Sequence, residues 1–211
     1  MVENEFHQDR LNRVVDSLAD KYAGVFAKET IERVVFESYA SLLRAGANPN
    51  FVTNFAEKFS RDRLRALATA KGSSPKEKPE VLFVCVQNAG RSQMAMAFLT
   101  SISKGSINVR SAGSMPASEV SDKTIAVMQE VGLDLTEVFP KPLTDDVVQA
   151  ADVVITMGCG DACPLYPGKT YLDWDLEDPA HLDLDGVRRV RDEIESRVQA
   201  LVAELLPESG K

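Results

Sequence analysis

Five residues separate Cys85 from Arg91, and this spacing can build a nucleophilic site around a bound anion. The apolar run at 81–84 predicts a buried strand ending at Cys85, and the residues from Arg91 onward show the apolar spacing of a helix. A loop between a strand and a helix start turns backbone N–H groups toward one point, where the helix dipole also favours negative charge. We therefore expect Arg91 to clamp two oxygens of a tetrahedral oxyanion, in a field that favours the thiolate form of Cys85.

The loop between these two residues would supply the other contacts to the anion. Spacing alone is weak evidence, because a cysteine at a strand end is often an inert core thiol. The strand, the glycine-containing loop and the Arg-Ser pair at the helix start together favour the reactive interpretation. The residues expected to surround the oxyanion are Val86, Gln87, Asn88, Ala89, Gly90, Arg91 and Ser92.

The composition is that of a globular protein. The chain has 211 residues, of which 44% are hydrophobic and 27% charged. Its N-terminus is charged from Glu3 onward, and no apolar run approaches the length of a membrane span, so we expect neither a secretory signal nor a membrane partner. An odd number of cysteines, three, indicates free thiols in a reducing cytoplasm.

Charge is distributed unevenly along the chain. Residues 1–78 carry 13 Lys and Arg against 11 Asp and Glu, whereas the rest of the chain carries 11 against 21. Such an acidic second part does not attract nucleic acid or phosphorylated macromolecules through its overall field. We expect no nucleic-acid partner, and a small oxyanion captured locally by the loop.

The chain divides into a helical part and an α/β part. Three segments of residues 1–70 show helical apolar spacing, which predicts a small three-helix domain, and the composition of residues 71–79 predicts a linker. Residues 80–211 alternate strands and helices, which predicts an α/β fold with a four-stranded parallel sheet flanked by helices. The small helical core would pack against the catalytic domain or form a homodimer with its own copy. An independent helical appendage is the alternative.

Within residues 80–211, Cys85 lies where a parallel sheet binds its ligand, at the carboxyl end of a strand. Ser121 is the expected N-cap of the second helix. The predicted strands are 81–84, 108–111, 153–156 and 171–172, and the predicted helices are 92–103, 121–131 and 186–206.

Cys159 and Cys163 follow the third predicted strand beside two glycines. Cysteines four residues apart can form a disulfide if the segment bends, and glycines permit such bending. They could instead be two inert thiols or part of a metal site, but zinc would need four ligands. Only Cys85 and two histidines remain to complete such a site, so we favour a redox pair, with no metal and no cofactor.

A carboxylic acid is needed to protonate the oxygen that departs when a thiolate attacks an oxyanion. Asp178 precedes a proline, which holds its backbone extended and directs its carboxylate outward. Asp178 is therefore the best candidate for the acid, with Asp175 and Glu177 as weaker ones.

These motifs resemble those of the low-molecular-weight protein-tyrosine-phosphatase fold, and more closely those of its arsenate reductase branch. The similarity covers residues 79–206 and includes CVQNAGRSQMA from Cys85, SAGS at 111–114, ITMGCGDACP at 155–164 and LDWDLEDPA at 172–180. It implies that Cys85 is the nucleophile, that Asn88 and Ser92 support the loop and the thiolate, and that Asp178 is the general acid. The helices of residues 1–70 resemble the extension of some actinobacterial members.

The same resemblance implies a disulfide cascade. Cys85 attacks the arsenic of arsenate, and Cys159 then attacks the Cys85 sulfur, which releases arsenite. Cys163 attacks Cys159, and thioredoxin reduces the resulting disulfide. The two resolving cysteines lie closer together here than in well-known members.

Three other functions stay open from the sequence. A tyrosine phosphatase usually carries aromatic residues after Asp-Pro, but Ala180 and His181 follow here. An arsenate reductase that uses mycothiol and mycoredoxin would need only Cys85, so the presence of Cys159 and Cys163 argues against it. A non-catalytic sensor would not require the complete set of nucleophile, cation and acid.

Overall fold

The computed structural model describes residues 2–73, 77–158 and 163–206, with side chains described from Phe6 onward. Cys159, one of the two residues of the predicted redox pair, lies outside the described residues. The chain forms two compact units, Met1–Lys76 and Glu77–Lys211. The linker at residues 71–79 stays a prediction.

The described part of the first unit consists of the helices α1 (Val2–Lys21), α2 (Lys28–Arg44) and α3 (Val52–Ala70), which confirms the predicted three-helix fold. Short connections make successive helices antiparallel. His7 Nδ1 lies 2.8 Å from the Tyr39 hydroxyl, and Arg10 donates a hydrogen bond to Asn54. The start of α1 therefore lies beside the end of α2 and the start of α3. The core they share includes Leu11, Val15, Leu18, Ile31, Val35, Leu42, Val52, Phe59 and Leu64.

The second unit contains a parallel sheet, as predicted. Its strands are β1 (Glu80–Cys85), β2 (Asn108–Gly113), β3 (Val153–Met157) and β4 (Thr170–Asp173), in the order β2-β1-β3-β4. All residues of the central strand β1 are buried, which explains its nearly continuous apolar sequence. Each strand extends one or two residues beyond its predicted limits, because the parallel ladder continues past the apolar residues.

Helices cover both faces of this sheet: α4 (Arg91–Ser103), α5 (Asp122–Glu130), α6 (Asp145–Ala150) and α7 (Leu184–Leu205). The sequence pattern does not predict α6, because six residues are too few to show a helical period. Ser121 precedes α5 as predicted, but its side chain makes no capping hydrogen bond. Helix α7 begins before its predicted start, because the Asp183 carboxylate accepts a hydrogen bond from the Gly186 N–H at 2.8 Å and caps it.

The carboxyl ends of three strands lie side by side and position the candidate site. Cys85 pairs in register with Gly113 of β2 and with Met157 of β3. The β1 face that carries Phe83 and Cys85 packs in one apolar core with α4, α5 and α7. Among the helices that the structure describes, none has the length and apolar content needed to cross a bilayer.

Candidate active site

Cys85 is buried at the end of β1 and faces the start of α4. Its Sγ lies 2.9 Å from the Ser92 hydroxyl and accepts a hydrogen bond from the Asn88 backbone N–H at 3.2 Å. Two polar groups of the loop and of α4 therefore lie within hydrogen-bonding distance of the sulfur.

The orientation of the Asn88 amide determines the direction of the Ser92 hydroxyl. Asn88 Oδ1 accepts a hydrogen bond from the Lys141 backbone N–H at 2.8 Å, so the other side of the amide, Nδ2, donates to Ser92 Oγ at 2.7 Å. With its oxygen occupied as an acceptor, Ser92 can direct its O–H toward Cys85. Asn88 and Ser92 therefore both lie beside the sulfur.

The backbone carbonyls of the loop are bound on its outer side by N–H groups of residues 114–121. Since the C=O and N–H of one planar peptide point in opposite directions, the loop N–H groups face inward. In the part of the chain that the structure describes, nothing accepts a hydrogen bond from the N–H groups of Ala89, Gly90 and Arg91. The carbonyls held in this way are those of Cys85, Val86, Gln87 and Ala89.

Gly113 allows β2 to approach this loop closely. A Cβ at this position would lie 2.7 Å from the Val86 carbonyl oxygen and 3.0 Å from the Asn88 nitrogen, so a larger residue would displace the loop backbone. The inward-facing N–H groups, together with the N-terminus of α4, form a concave nest suited to a tetrahedral anion.

Arg91 begins α4 at the end of this loop, and its side chain is only 8% exposed. Its Nη1 donates to the Leu176 carbonyl at 3.1 Å, and its Nη2 donates to Asp178 Oδ2 at 3.2 Å. Asp178 Oδ1 also accepts a hydrogen bond from the Ala180 N–H at 3.1 Å, which caps a short 3-10 turn at Pro179–His181. Among the described residues, Asp178 is thus the acid that contacts Arg91, whereas Asp175 and Glu177 are exposed and make no ion pair with it.

Gly158 lies directly against the guanidinium of Arg91. It has a φ of 71°, in the left-handed region, and a Cβ on it would lie 3.0 Å from Arg91 Nη1. Gly158 is covalently bonded to Cys159, and the residue before it, Met157, is the register partner of Cys85. The chain segment that carries the predicted resolving cysteine therefore leaves the sheet beside the oxyanion loop.

Cys163 lies on the β3–β4 side of the sheet and is 8% exposed. It lines a pocket of about 530 Å³, and no residue of the oxyanion loop is among the described lining residues. The structure thus brings Arg91 and Asp178 into contact, at the end of the loop that begins at Cys85, whereas Cys163 lines this pocket. Within the described ranges, no group of three or more His, Cys, Asp or Glu residues is arranged to hold a metal ion. The described lining residues are Thr156, Cys163, Pro164, Leu165, Tyr171, Leu172 and Asp173.

Gln93 is a residue of the site that the sequence pattern does not predict. Its side chain is fully buried and contacts Asn88 of the loop after Cys85. Gln93 Nε2 donates to the Asn88 carbonyl oxygen at 3.0 Å and to Asn88 Oδ1 at 3.1 Å. The only sequence signal is a polar residue between Ser92 and the apolar positions of α4, which by itself does not indicate burial.

Both units match known sequence families. Residues 80–210 match the family described as low molecular weight phosphotyrosine protein phosphatase, and residues 11–68 match the protein-tyrosine-phosphatase-like N-terminal domain. A putative arsenate reductase of Halobacterium salinarum is 38% identical over 131 residues, which cover 60% of this chain and 92% of the relative. A glutaredoxin arsenate reductase of Synechocystis sp. is 37% identical over 129 residues, which cover 60% of this chain and 98% of the relative.

Solved structures extend the similarity to both units. The thioredoxin-dependent arsenate reductase of Corynebacterium glutamicum is 48% identical with a TM-score of 0.85, and the match covers 94% of this chain and 97% of that one. An arsenate reductase in a phosphate-binding state is 37% identical with a TM-score of 0.52, over 60% of this chain and 98% of that one. These matches confirm the resemblance seen in the motifs. The chain belongs to the low molecular weight phosphotyrosine protein phosphatase family.

Proposed function

We propose that this protein reduces arsenate to arsenite, with Cys85 as the nucleophile and Cys159 and Cys163 as resolving cysteines. The observation that carries the proposal is the contact between Gly158 and the guanidinium of Arg91. Because Gly158 is bonded to Cys159, the chain joins a second cysteine to the edge of the oxyanion loop, and phosphate-ester hydrolysis has no use for one. The names of the relatives support the same activity.

In the first step the Cys85 thiolate attacks arsenic and a water molecule leaves. The inward N–H groups of the loop and the guanidinium of Arg91 bind the remaining oxygens, whose charge they neutralise. The Ser92 hydroxyl, 2.9 Å from Sγ, stabilises the thiolate before the attack. Asp178, whose side chain is half exposed, takes up a proton from solvent once the oxyanion replaces it on Arg91, and it donates that proton to the departing oxygen.

In the second step the Cys159 thiolate attacks the Cys85 sulfur, and the electron pair of the sulfur–arsenic bond passes to arsenic, which leaves as arsenite. Cys163 then attacks Cys159 and releases Cys85 as a thiolate. The product is a redox-active Cys159–Cys163 disulfide, which thioredoxin reduces by thiol–disulfide exchange. Cys163 itself is buried in the described structure, so we expect thioredoxin to attack the Cys159 sulfur of this disulfide.

A coupled assay tests this proposal. We expect arsenate-dependent NADPH consumption in the presence of thioredoxin and thioredoxin reductase, and its loss in both Cys159→Ser and Cys163→Ser. Cys163→Ser should still complete about one turnover per active site, because Cys159 can resolve the first adduct. Sustained cycling in Cys163→Ser would contradict the proposed cascade.

The same assay separates the alternatives. Turnover that requires mycothiol and mycoredoxin and only Cys85 would replace the thioredoxin route. No arsenate turnover with either reductant, together with hydrolysis of aryl phosphates, would indicate that the protein is a phosphatase. The exposed Ala180 and His181 after Pro179 offer no aromatic wall for a phosphotyrosine ring, so we expect aryl phosphates to be poor substrates.

The proposed chemistry also bears on the compartment, the domain organisation and the oligomeric state of the protein. Thiols that must return to the reduced state belong in a reducing compartment, so we propose the cytoplasm. We further propose that residues 1–70 form a separate domain, joined by a linker at 71–79 to a catalytic domain of residues 80–211. Exposed apolar side chains of the helical unit support its role as the interface of a homodimer.

A further inference from the structure

Gln93 is a fully buried polar side chain to which neither the sequence pattern nor the proposed chemistry gives a role. Three acceptors surround its Nε2: the Asn88 carbonyl oxygen at 3.0 Å, Asn88 Oδ1 at 3.1 Å and the Phe139 carbonyl oxygen at 3.2 Å. Because none of them can donate, only the NH₂ side of the Gln93 amide can face them. The opposite atom, Oε1, has no hydrogen-bond partner in the described part of the chain. The side chain thus leaves one buried acceptor unsatisfied while it donates to Asn88 twice.

The first of these bonds fixes the backbone of Asn88. This residue has a φ of 49°, in the left-handed region that side chains other than glycine rarely adopt, so its conformation needs support from its surroundings. The Gln93 amide binds the Asn88 carbonyl and turns it toward α4. Since the Ala89 N–H belongs to the same planar peptide, it must point the opposite way, toward the inside of the nest.

The second bond fixes the side chain of Asn88. Its Oδ1 accepts from Gln93 at 3.1 Å and from the Lys141 N–H at 2.8 Å, which leaves only Nδ2 to face Ser92. Nδ2 donates to Ser92 Oγ at 2.7 Å, and that hydroxyl lies 2.9 Å from Cys85 Sγ. A continuous chain of hydrogen bonds therefore runs from Gln93 through Asn88 and Ser92 to the sulfur.

We propose that Gln93 is a positioning residue that acts through Asn88 on both the Cys85 thiolate and the anion-binding Ala89 N–H. This inference rests on the proposed role of Cys85 as nucleophile, but it needs neither arsenate reduction nor a resolving cysteine. A buried glutamine that served only to fill space would have no reason to bind both carbonyl oxygens of one strained residue.

The test uses the full-length chain with Cys159→Ser and Cys163→Ser, in which Cys85 is the only cysteine left. Into this background we would place Gln93→Met, which keeps the volume and removes the donors. Two readouts are compared at neutral pH: the ultraviolet absorbance of the thiolate, and the rate of Cys85 alkylation by iodoacetamide with and without inorganic phosphate. Gln129→Met, an exposed glutamine on α5, is the matched control.

We expect Gln93→Met to lose most of the thiolate absorbance and to alkylate about tenfold more slowly, the size of one hydrogen bond to a charged group. Protection by phosphate should weaken by a similar factor, because the Ala89 N–H is no longer oriented. Gln129→Met should match the parent in every readout.

A double-mutant cycle tests the route through Asn88. In an Asn88→Ala background, which keeps the backbone carbonyl but lacks Oδ1 and Nδ2, Gln93→Met should cause no further loss of thiolate absorbance or alkylation rate, and an additive loss of either would overturn the inference. Parent-like absorbance, alkylation and protection in Gln93→Met would also overturn it. If Gln93→Met does not fold, as judged by circular dichroism, Gln93→Glu takes its place in the same readouts. This variant keeps the shape of the side chain but faces the acceptors with a carboxylate, so the same losses are expected and parent-like values would overturn the inference. A parent Cys85 that alkylates no faster than a free thiol would instead refute the proposed function.

Discussion

The carboxylate of Asp178 is bound on both of its oxygens by groups of different kinds. One oxygen caps the turn at Pro179–His181, through the Ala180 N–H, and the other accepts from Arg91. The cap holds the carboxylate in place, and the ion pair holds it beside the guanidinium that is proposed to bind the substrate. An oxyanion that binds Arg91 therefore arrives next to the proposed proton donor.

Asp178→Asn should separate binding from proton transfer. The amide cannot donate an acidic proton, so we expect kcat for arsenate reduction to fall by roughly a hundredfold, within the range for a general acid. Binding of inorganic phosphate should stay equal or become tighter, because a negative charge that competes for Arg91 is removed. Steady-state kinetics and calorimetry measure the two effects. Asp175→Asn, an exposed acid three residues earlier, is the control, and an equal loss there would argue against the assignment.

Cys85→Ser should abolish turnover while leaving the nest intact. The serine hydroxyl fits the same hydrogen bonds from Asn88 and Ser92 but is far less nucleophilic than a thiolate. We expect no arsenate-dependent NADPH consumption, and phosphate affinity within about threefold of the parent by calorimetry. Normal turnover in this variant would refute the proposed scheme.

At the scale of elements, the end of β3 lies beside Cys85 and leads into the segment that carries the proposed resolving cysteines. Gly158 supports this connection because its left-handed φ turns the chain immediately after the strand, against Arg91. Gly168, in the turn before β4, has a similar φ of 78°, but a Cβ added to it would meet no atom within 4 Å. The two glycines therefore differ in surroundings and not in backbone conformation.

Gly158→Ala and Gly168→Ala form a matched pair. Both should lose about 1 kcal/mol of stability, because alanine is strained at these φ values. Only Gly158→Ala should also raise KM for arsenate, by several-fold, since its methyl group would press on Arg91 Nη1. Urea denaturation and steady-state kinetics measure the two quantities. Equal kinetic effects in both variants would show that contact with Arg91 is unimportant.

Glu130 on α5 forms ion pairs with Arg188 and Arg191 on α7. Hydrogen bonds from Arg188, and then from Arg191, lower the pKa of Glu130 from 4.5 to about 2. A carboxylate with a lowered pKa in the folded state stabilises the fold above its unfolded pKa, and this stabilisation is lost as pH falls through the folded value. The sensitive window therefore runs from pH 4.5 down to about 2.

Glu130→Gln should consequently unfold at a lower temperature than the parent at neutral pH. The difference between the two proteins should shrink as pH falls from 4.5 toward 2, because the parent then loses the same charge. Thermal unfolding followed by circular dichroism across this range provides the measurement. Glu204→Gln, an exposed glutamate on α7, should follow the parent at every pH. A constant difference across the window would contradict the role of the Glu130 charge.

At the scale of the whole molecule, the sequence predicts the helices and strands, which depend on residues close together in the chain, better than it predicts contacts between distant residues. The strand before Cys85 and the helix after Arg91 follow from apolar spacing over a few residues. The bond between Arg91 and Asp178 joins residues 87 positions apart, and the bond from Gln93 to the Phe139 carbonyl spans 46 positions. Such contacts arise from packing of distant elements, so chemistry could suggest Asp178, but nothing in the pattern could suggest Gln93.

The helical unit offers an apolar surface at the end where α1 starts, α2 ends and α3 starts. Phe6 is 58% exposed, Leu43 40% and Phe51 52%, and the rings of Phe51 and Phe55 lie 6.2 Å apart. Exposed large apolar side chains gathered at one end of a small bundle indicate a surface that associates with another protein. A second copy of the chain is the proposed partner.

Phe51→Glu should therefore weaken the proposed homodimer, because a carboxylate cannot be buried without a partner. Light scattering at several protein concentrations should show a dimer for the parent and a shift toward the monomer mass for the variant. Leu165→Glu is the matched control, since Leu165 is a 78% exposed apolar residue of the second unit. Dissociation in Leu165→Glu but not in Phe51→Glu would place the interface on the α/β unit, and a monomeric parent would exclude the dimer. Arsenate turnover measured on the same samples shows whether association matters for activity, because each protomer carries its own Cys85, Arg91 and Asp178.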